Sequence, residues 1–117
     1  MTEQKIIQII VCTAKDQLNI YGLDGAKQAR RLIDALSAIG LCGGVFPEEI
    51  EHAYQQVERK EEDIRAGKPP KPTILPSQTQ QEEVLAWLKQ PWKGELLTRK
   101  GKKQIEECIR FFEDYWA

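Results

Sequence analysis

Ile6-Ile7-Gln8-Ile9-Ile10-Val11-Cys12-Thr13-Ala14-Lys15-Asp16-Gln17-Leu18 is the stretch on which the fold class turns. Ile7, Ile10, Val11, Ala14 and Leu18 recur at three- and four-residue steps, with Gln8, Lys15, Asp16 and Asn19 on the opposite face, as an amphipathic helix requires. The competing reading is a strand. Ile6, Ile7, Ile9, Ile10 and Val11 are β-branched, and their run is short enough for a buried strand. Helix is preferred because the periodicity persists through Leu18, well past a usual strand length, and a strand stays open as the alternative for residues 6–18.

Helical spacing continues on the C-terminal side. Asn19 to Gly25 carries two glycines and reads as a turn, with Asp24 placed to cap the helix that follows. Ala26, Ala29, Leu32, Ile33, Leu36 and Ile39 trace one apolar stripe, and Gly40 is the expected helix-ending glycine. After the break at Cys42-Gly43-Gly44-Val45-Phe46, Pro47 suits the first turn of a third helix, and Glu48, Glu49 and Glu51 complement its positive end. Ile50, Ala53, Tyr54, Val57 and Ile64 form its stripe, and Gly67 ends it. Residues 68–77 contain Pro69, Pro70, Pro72 and Pro76, an extended semi-rigid strap with few backbone donors. At about 3.1 Å per residue it spans roughly 30 Å, so a fourth helix is not obliged to pack on the third. Ser77 and Gln80 make a capping box for a helix bearing Val84, Leu85, Trp87 and Leu88, which Pro91 closes. Thr98 caps a last helix with Ile105, Cys108, Ile109, Phe112, Tyr115 and Trp116 on one side.

These segments predict an all-α or mainly α fold, a compact bundle of about five helices in one domain over residues 1–117. The length of 117 residues is enough for one core. Seventeen Lys and Arg against eighteen Asp and Glu leave a net charge of -1, so no global field selects nucleic acid or an anionic membrane. The longest apolar run is far short of the ~20 residues that span a bilayer. The first five residues lack the layout of a signal peptide, and Cys12, Cys42 and Cys108 do not pair into a disulfide framework. The expectation is a cytoplasmic protein that does not enter membranes.

Readable chemistry is sparse. His52 is the only histidine and has no adjacent nucleophile or second metal ligand, and no cysteine pair has zinc spacing. No cofactor or metal is expected. The acids from Glu48 to Asp63 interleave with Arg59, Lys60 and Arg65 and read as a solvated, ion-paired helix face. Gly43-Gly44 lacks the Lys-Ser or Lys-Thr of a phosphate loop. Pro69-Pro70-Lys71-Pro72 meets the minimal PxxP spacing, although prolines so placed also suit a strap.

The strongest anomaly is residues 89–103. Lys89, Lys93, Arg99, Lys100, Lys102 and Lys103 stand there against Glu95 alone. Cations in the first turns of a helix oppose its dipole at about 0.3–1 kcal/mol each, so local stability would favour acids. Lys93, Arg99, Lys100, Lys102 and Lys103, with Trp92 placed to stack on a base or to pack under the loop, form a candidate site for an anion or a partner surface. The competing reading is an ordinary lysine-rich loop kept for solubility, which the balanced net charge favours. Glu95-Leu96-Leu97-Thr98-Arg99-Lys100-Gly101 resembles the passage of winged-helix regulators in which a wing strand runs into a Leu-Thr-x-x-Gly helix start. The resemblance covers about a fifth of the chain and lacks a recognition-helix turn before it. It implies nucleic acid as an alternative partner and no more.

The reading that follows is a non-enzymatic protein-interaction or regulatory module. Its partner would be another protein or a second copy, with Phe111, Phe112, Tyr115 and Trp116 as the candidate interface. The alternatives are a nucleic-acid-binding accessory factor using residues 89–103, and a small enzyme, which a pocket joining His52 to Glu or Cys from other helices would favour.

Overall fold

The computed structural model of the chain describes residues 1–71 and 75–117. Five α-helices run as α1 Glu3–Tyr21, α2 Ala26–Gly40, α3 Pro47–Arg65, α4 Gln78–Leu88 and α5 Arg99–Tyr115, with a 3-10 turn Gly22–Gly25 between the first two. No strand occurs among the described residues, so the strand alternative for residues 6–18 is set aside. The reason is quantitative. β-Branched residues cost a helix only about 0.7 kcal/mol each or less, whereas burying an Ile or Leu side chain returns about 1.5–3 kcal/mol. In α1, Ile6, Ile7, Ile9, Ile10, Val11, Ala14 and Leu18 are all buried, and the Thr2 hydroxyl accepts from the Lys5 N–H to start the helix.

Packing of α2, α3 and α4 around α1 widens its buried arc beyond the expected stripe. Asp16 and Gln17 are therefore buried, contrary to the reading of Asp16 as part of a solvated face. The Asn19 amide donates to the Asp16 carboxylate at 3.1 Å. A similar correction applies to α3, where Lys60 and Glu61 are both buried rather than solvated. Glu61 faces α2, and its two carboxylate oxygens accept from Arg30 at 2.9 and 3.1 Å.

Two helix ends differ from expectation. Asp24 lies within the 3-10 turn, and Gly25 takes the cap position of α2 without a side-chain hydrogen bond. Gly25 has no room for a Cβ, which would run into the Gln17 carbonyl, so the turn is closed by backbone contact with α1. At the other end of α2, Gly40 is the last helical residue and is needed because a Cβ there would strike Ile50 Cδ1 of α3. The left-handed residue is Gly43, at φ 80°. It donates to the Gly40 carbonyl while Gly44 donates to that of Ile39, the paired bonds of a Schellman ending.

The capping box at Ser77 and Gln80 is present in both directions, at 3.0 and 3.2 Å. Helix α4 packs on α1 and α5 rather than on α3, the freedom that a long strap allows. The candidate PxxP sequence ends at Pro72, outside the described residues. Helix α5 lies along α2, with buried Gly101 close to Ala38. One apolar cluster joins all five helices, and Phe112, Ile10, Leu18, Leu32, Ile33, Leu36 and Leu88 are among its fully buried members. The radius of gyration of 13.8 Å is close to the roughly 13.4 Å of a compact chain of this length. No helix among the described residues is long and apolar enough to cross a membrane.

Candidate functional site

The basic segment and a Gly-rich loop meet at one end of the bundle. Gly94 packs on the Leu41 carbonyl and on Cys42, and Gly44 lies against Ile39 and the Trp92 ring, so neither glycine leaves space for a Cβ. These close approaches hold the α2–α3 loop against the α4–α5 loop. Trp92 is the fastener. Its indole N–H donates to the Leu88 carbonyl at 3.2 Å, and its ring meets Trp87 edge-on with centroids 5.2 Å apart. Trp92 is thus half-buried in a structural role and not placed to stack on a base.

With the loops fixed, three large apolar side chains remain outside among the polar ones. Leu41, Phe46 and Leu96 are 44%, 71% and 69% exposed. Sequence reasoning missed all three, because none belongs to a periodic stripe. The available signal was a large apolar residue in a Gly-rich loop, directly before the helix-starting Pro47.

Beside them, Lys93, Arg99, Lys100, Lys102 and Lys103 are exposed, and none forms an ion pair among the described residues. Lys89 is paired with Glu113 at 3.4 Å. Thr98 caps α5 as expected, its hydroxyl accepting from Gly101 N–H at 3.1 Å. The first turn of α5 holds no acid, so its cations stand against the helix dipole. Further along, Arg99, Lys102 and Lys103 share a shallow groove with Glu106, Glu107 and Arg110, and the field there is mixed. No strand leads into Thr98 among the described residues. The chain instead makes a turn in which Leu97 N–H donates to Gly94, so the wing implied by the winged-helix resemblance is absent.

The aromatic run divides. Phe112 is fully buried and packs on Trp116 at 4.5 Å, so it belongs to the core and not to an interface. Phe111 and Tyr115 are half-buried and stacked on each other at 5.3 Å. Burial, with the Asp16 and Tyr21 charges nearby, pushes the Tyr115 hydroxyl above its ordinary range. At the α2–α3 contact, burial and a hydrogen bond to Asp34 raise Tyr54 in the same way.

His52 is exposed on α3 and lines a groove of about 820 Å³ that Cys12 of α1 also lines. No hydrogen bond joins the two among those of the described residues. Among these residues no three His, Cys, Asp or Glu side chains converge as metal ligands would. No family model matches the chain, and no curated protein or solved structure matches it either.

Proposed function

We propose that the chain is a protein-interaction module that docks an acidic partner on the end formed by residues 41–46 and 89–98. The observation that carries this reading is the exposure of Leu41, Phe46 and Leu96 on two loops fastened together, beside five cations that form no ion pair among the described residues. Single exposed apolar side chains are ordinary, but a cluster on a rigid support is the usual form of a docking surface. Desolvating Phe46 and Leu96 would supply affinity, and the surrounding lysines would select acidic partners and speed their approach. Nucleic acid is the weaker fit, because Trp92 is committed to the loop contact and Glu106 and Glu107 interrupt the basic face.

The test is affinity purification from the native cell, with and without nuclease, followed by reconstitution with the purified partner. An acidic protein that persists through nuclease treatment is expected. Phe46→Asp with Leu96→Asp should weaken that pair at least tenfold without altering the circular dichroism spectrum. Retention that vanishes with nuclease would transfer the site to nucleic acid and overturn the reading.

A second reading, a small enzyme, rests on His52 and Cys12 sharing one groove. An imidazole that activates a thiol makes it react quickly with iodoacetamide near neutral pH. His52→Ala should then slow alkylation of Cys12 about tenfold, and an unchanged rate removes this reading.

A further inference from the structure

A second group of exposed apolar side chains lies at the end of the bundle away from the docking loops. Ile20 and Tyr21 close α1 and Leu23 lies in the 3-10 turn after it, and they are 57%, 61% and 43% exposed. Helix α2 separates this end from Leu41, its 15 residues spanning about 22 Å. Gly101 lies by Ala38 and Phe111 by Leu32 and Gln28, so α5 runs antiparallel to α2 and its last turns reach the same end. There Tyr21 lies near Tyr115, and Tyr115 stacks on Phe111. The apolar surface therefore continues from Tyr21 to the groove between α2 and α5.

The charge of that groove decides what the surface fits. Arg31, Glu107, Arg110 and Asp114 line it, all four are exposed, and none forms an ion pair among the described residues. Arg110 and Asp114 stand one helical turn apart, a spacing at which opposite charges often pair, yet they do not. Two cations and two carboxylates balance, whereas the cations at the docking end are of one sign. A partner or a membrane of either sign would meet two like charges in this groove. A face with equal numbers of both is complementary to itself under a twofold rotation, the condition that an isologous dimer imposes. Such a rotation sets Arg110 of each copy against Asp114 of the other. Tyr, Phe and Arg are also the side chains enriched at protein interfaces. A standard interface takes about 800 Å² from each partner, roughly a tenth of this chain's 7447 Å² surface. The residues of this face are fewer than the roughly 20–30 that such an interface takes from each side, so the dimer is of micromolar strength.

We infer that the chain forms a twofold dimer through the end of α1 and the α2–α5 groove, with Tyr21, Phe111 and Tyr115 at its apolar centre and Arg110 paired with Asp114 of the second copy. This surface is separate from the docking end and does not depend on it.

The test is sedimentation equilibrium of the full chain, with a thiol reductant, from about 1 µM to about 1 mM. A reversible monomer–dimer equilibrium is expected for the wild type. Tyr21→Asp, at an exposed position, should weaken it at least tenfold without altering the circular dichroism spectrum. Arg110→Glu and Asp114→Arg should each weaken it likewise, because each sets like charges against one another across the axis. An equimolar mixture of those two variants should form dimers again, since every charge then meets its opposite. Phe46→Asp with Leu96→Asp should dimerise as the wild type does. Four outcomes overturn the assignment: a wild type that stays monomeric throughout, dimers unaffected by Tyr21→Asp, a mixture of the charge variants that remains monomeric, or loss of dimers in the Phe46→Asp, Leu96→Asp variant, which would place the contact at the docking end.

Discussion

At the scale of single residues the three cysteines separate by environment. Cys12 is exposed, Cys42 is half-buried with its thiol near the Ala38 carbonyl at 3.9 Å, and Cys108 is buried. Burial pushes the Cys108 thiol up to about 12, so the folded chain holds that proton where an unfolded chain releases it. A thiol reagent near pH 8 is expected to label Cys12 first and Cys108 only on unfolding, and mass spectrometry of the labelled peptides checks this. Because the folded value is raised, the stabilisation is complete below pH 9 and is lost progressively between 9 and 12. Denaturant midpoints measured across that window should fall more steeply for the wild type than for Cys108→Val. Tyr54, also raised, adds to the alkaline loss in both proteins.

At the scale of elements, close helix contacts rather than propensities set the geometry. Gly40→Ala places a methyl against the tip of Ile50, a flexible side chain, and should cost about 1–2 kcal/mol. Gly25→Ala places it against the backbone of Gln17, which has no rotamer with which to yield, and should cost about 3 kcal/mol or more. Urea unfolding of the two variants tests this order, and equal effects would contradict it. The α2–α3 contact is polar at its edge, where Tyr54 bonds to Asp34 and Arg30 to Glu61. Tyr54→Phe leaves the half-buried Asp34 without that donor and should cost about 1–2 kcal/mol by the same assay. The capping box at Ser77 and the cap at Thr98 were readable because a cap depends on residues three apart in the chain. The roles of Gly25 and Gly40 were not, since each is decided by an atom eight or more positions away.

For the whole molecule, the proposed surface and the core make opposite demands. Phe112→Ala removes a fully buried ring that packs on Trp116 and should cost about 3–5 kcal/mol, a large share of a stability of about 5–15 kcal/mol. Phe46→Ala, at a side chain 71% exposed, should change stability by no more than about 0.5 kcal/mol. Chemical denaturation of the two variants measures the contrast. Binding of the acidic partner should weaken with salt, because the cations around Leu96 are exposed and screened within about 10 Å at 0.1 M ionic strength. Affinities compared at low and moderate ionic strength would reveal that dependence, and a flat response would mean that the lysines take no part.

The amino-acid sequence by itself determined the helices, because apolar periodicity, N-cap hydroxyls and prolines act over a few neighbouring residues. That local logic placed α2 to α5 nearly as observed and located the uncompensated cations at the start of α5. Tertiary structure alone decided which side of each helix is covered and by what. It buried Asp16, Lys60 and Glu61 on faces that read as polar, drew Phe112 inside, committed Trp92 to a loop contact and left Phe46 and Leu96 in solvent. The physical reason is that burial is a property of the assembled bundle. A charge is solvated or enclosed according to the helices that pack around it, and nothing in its own stretch of chain records their approach.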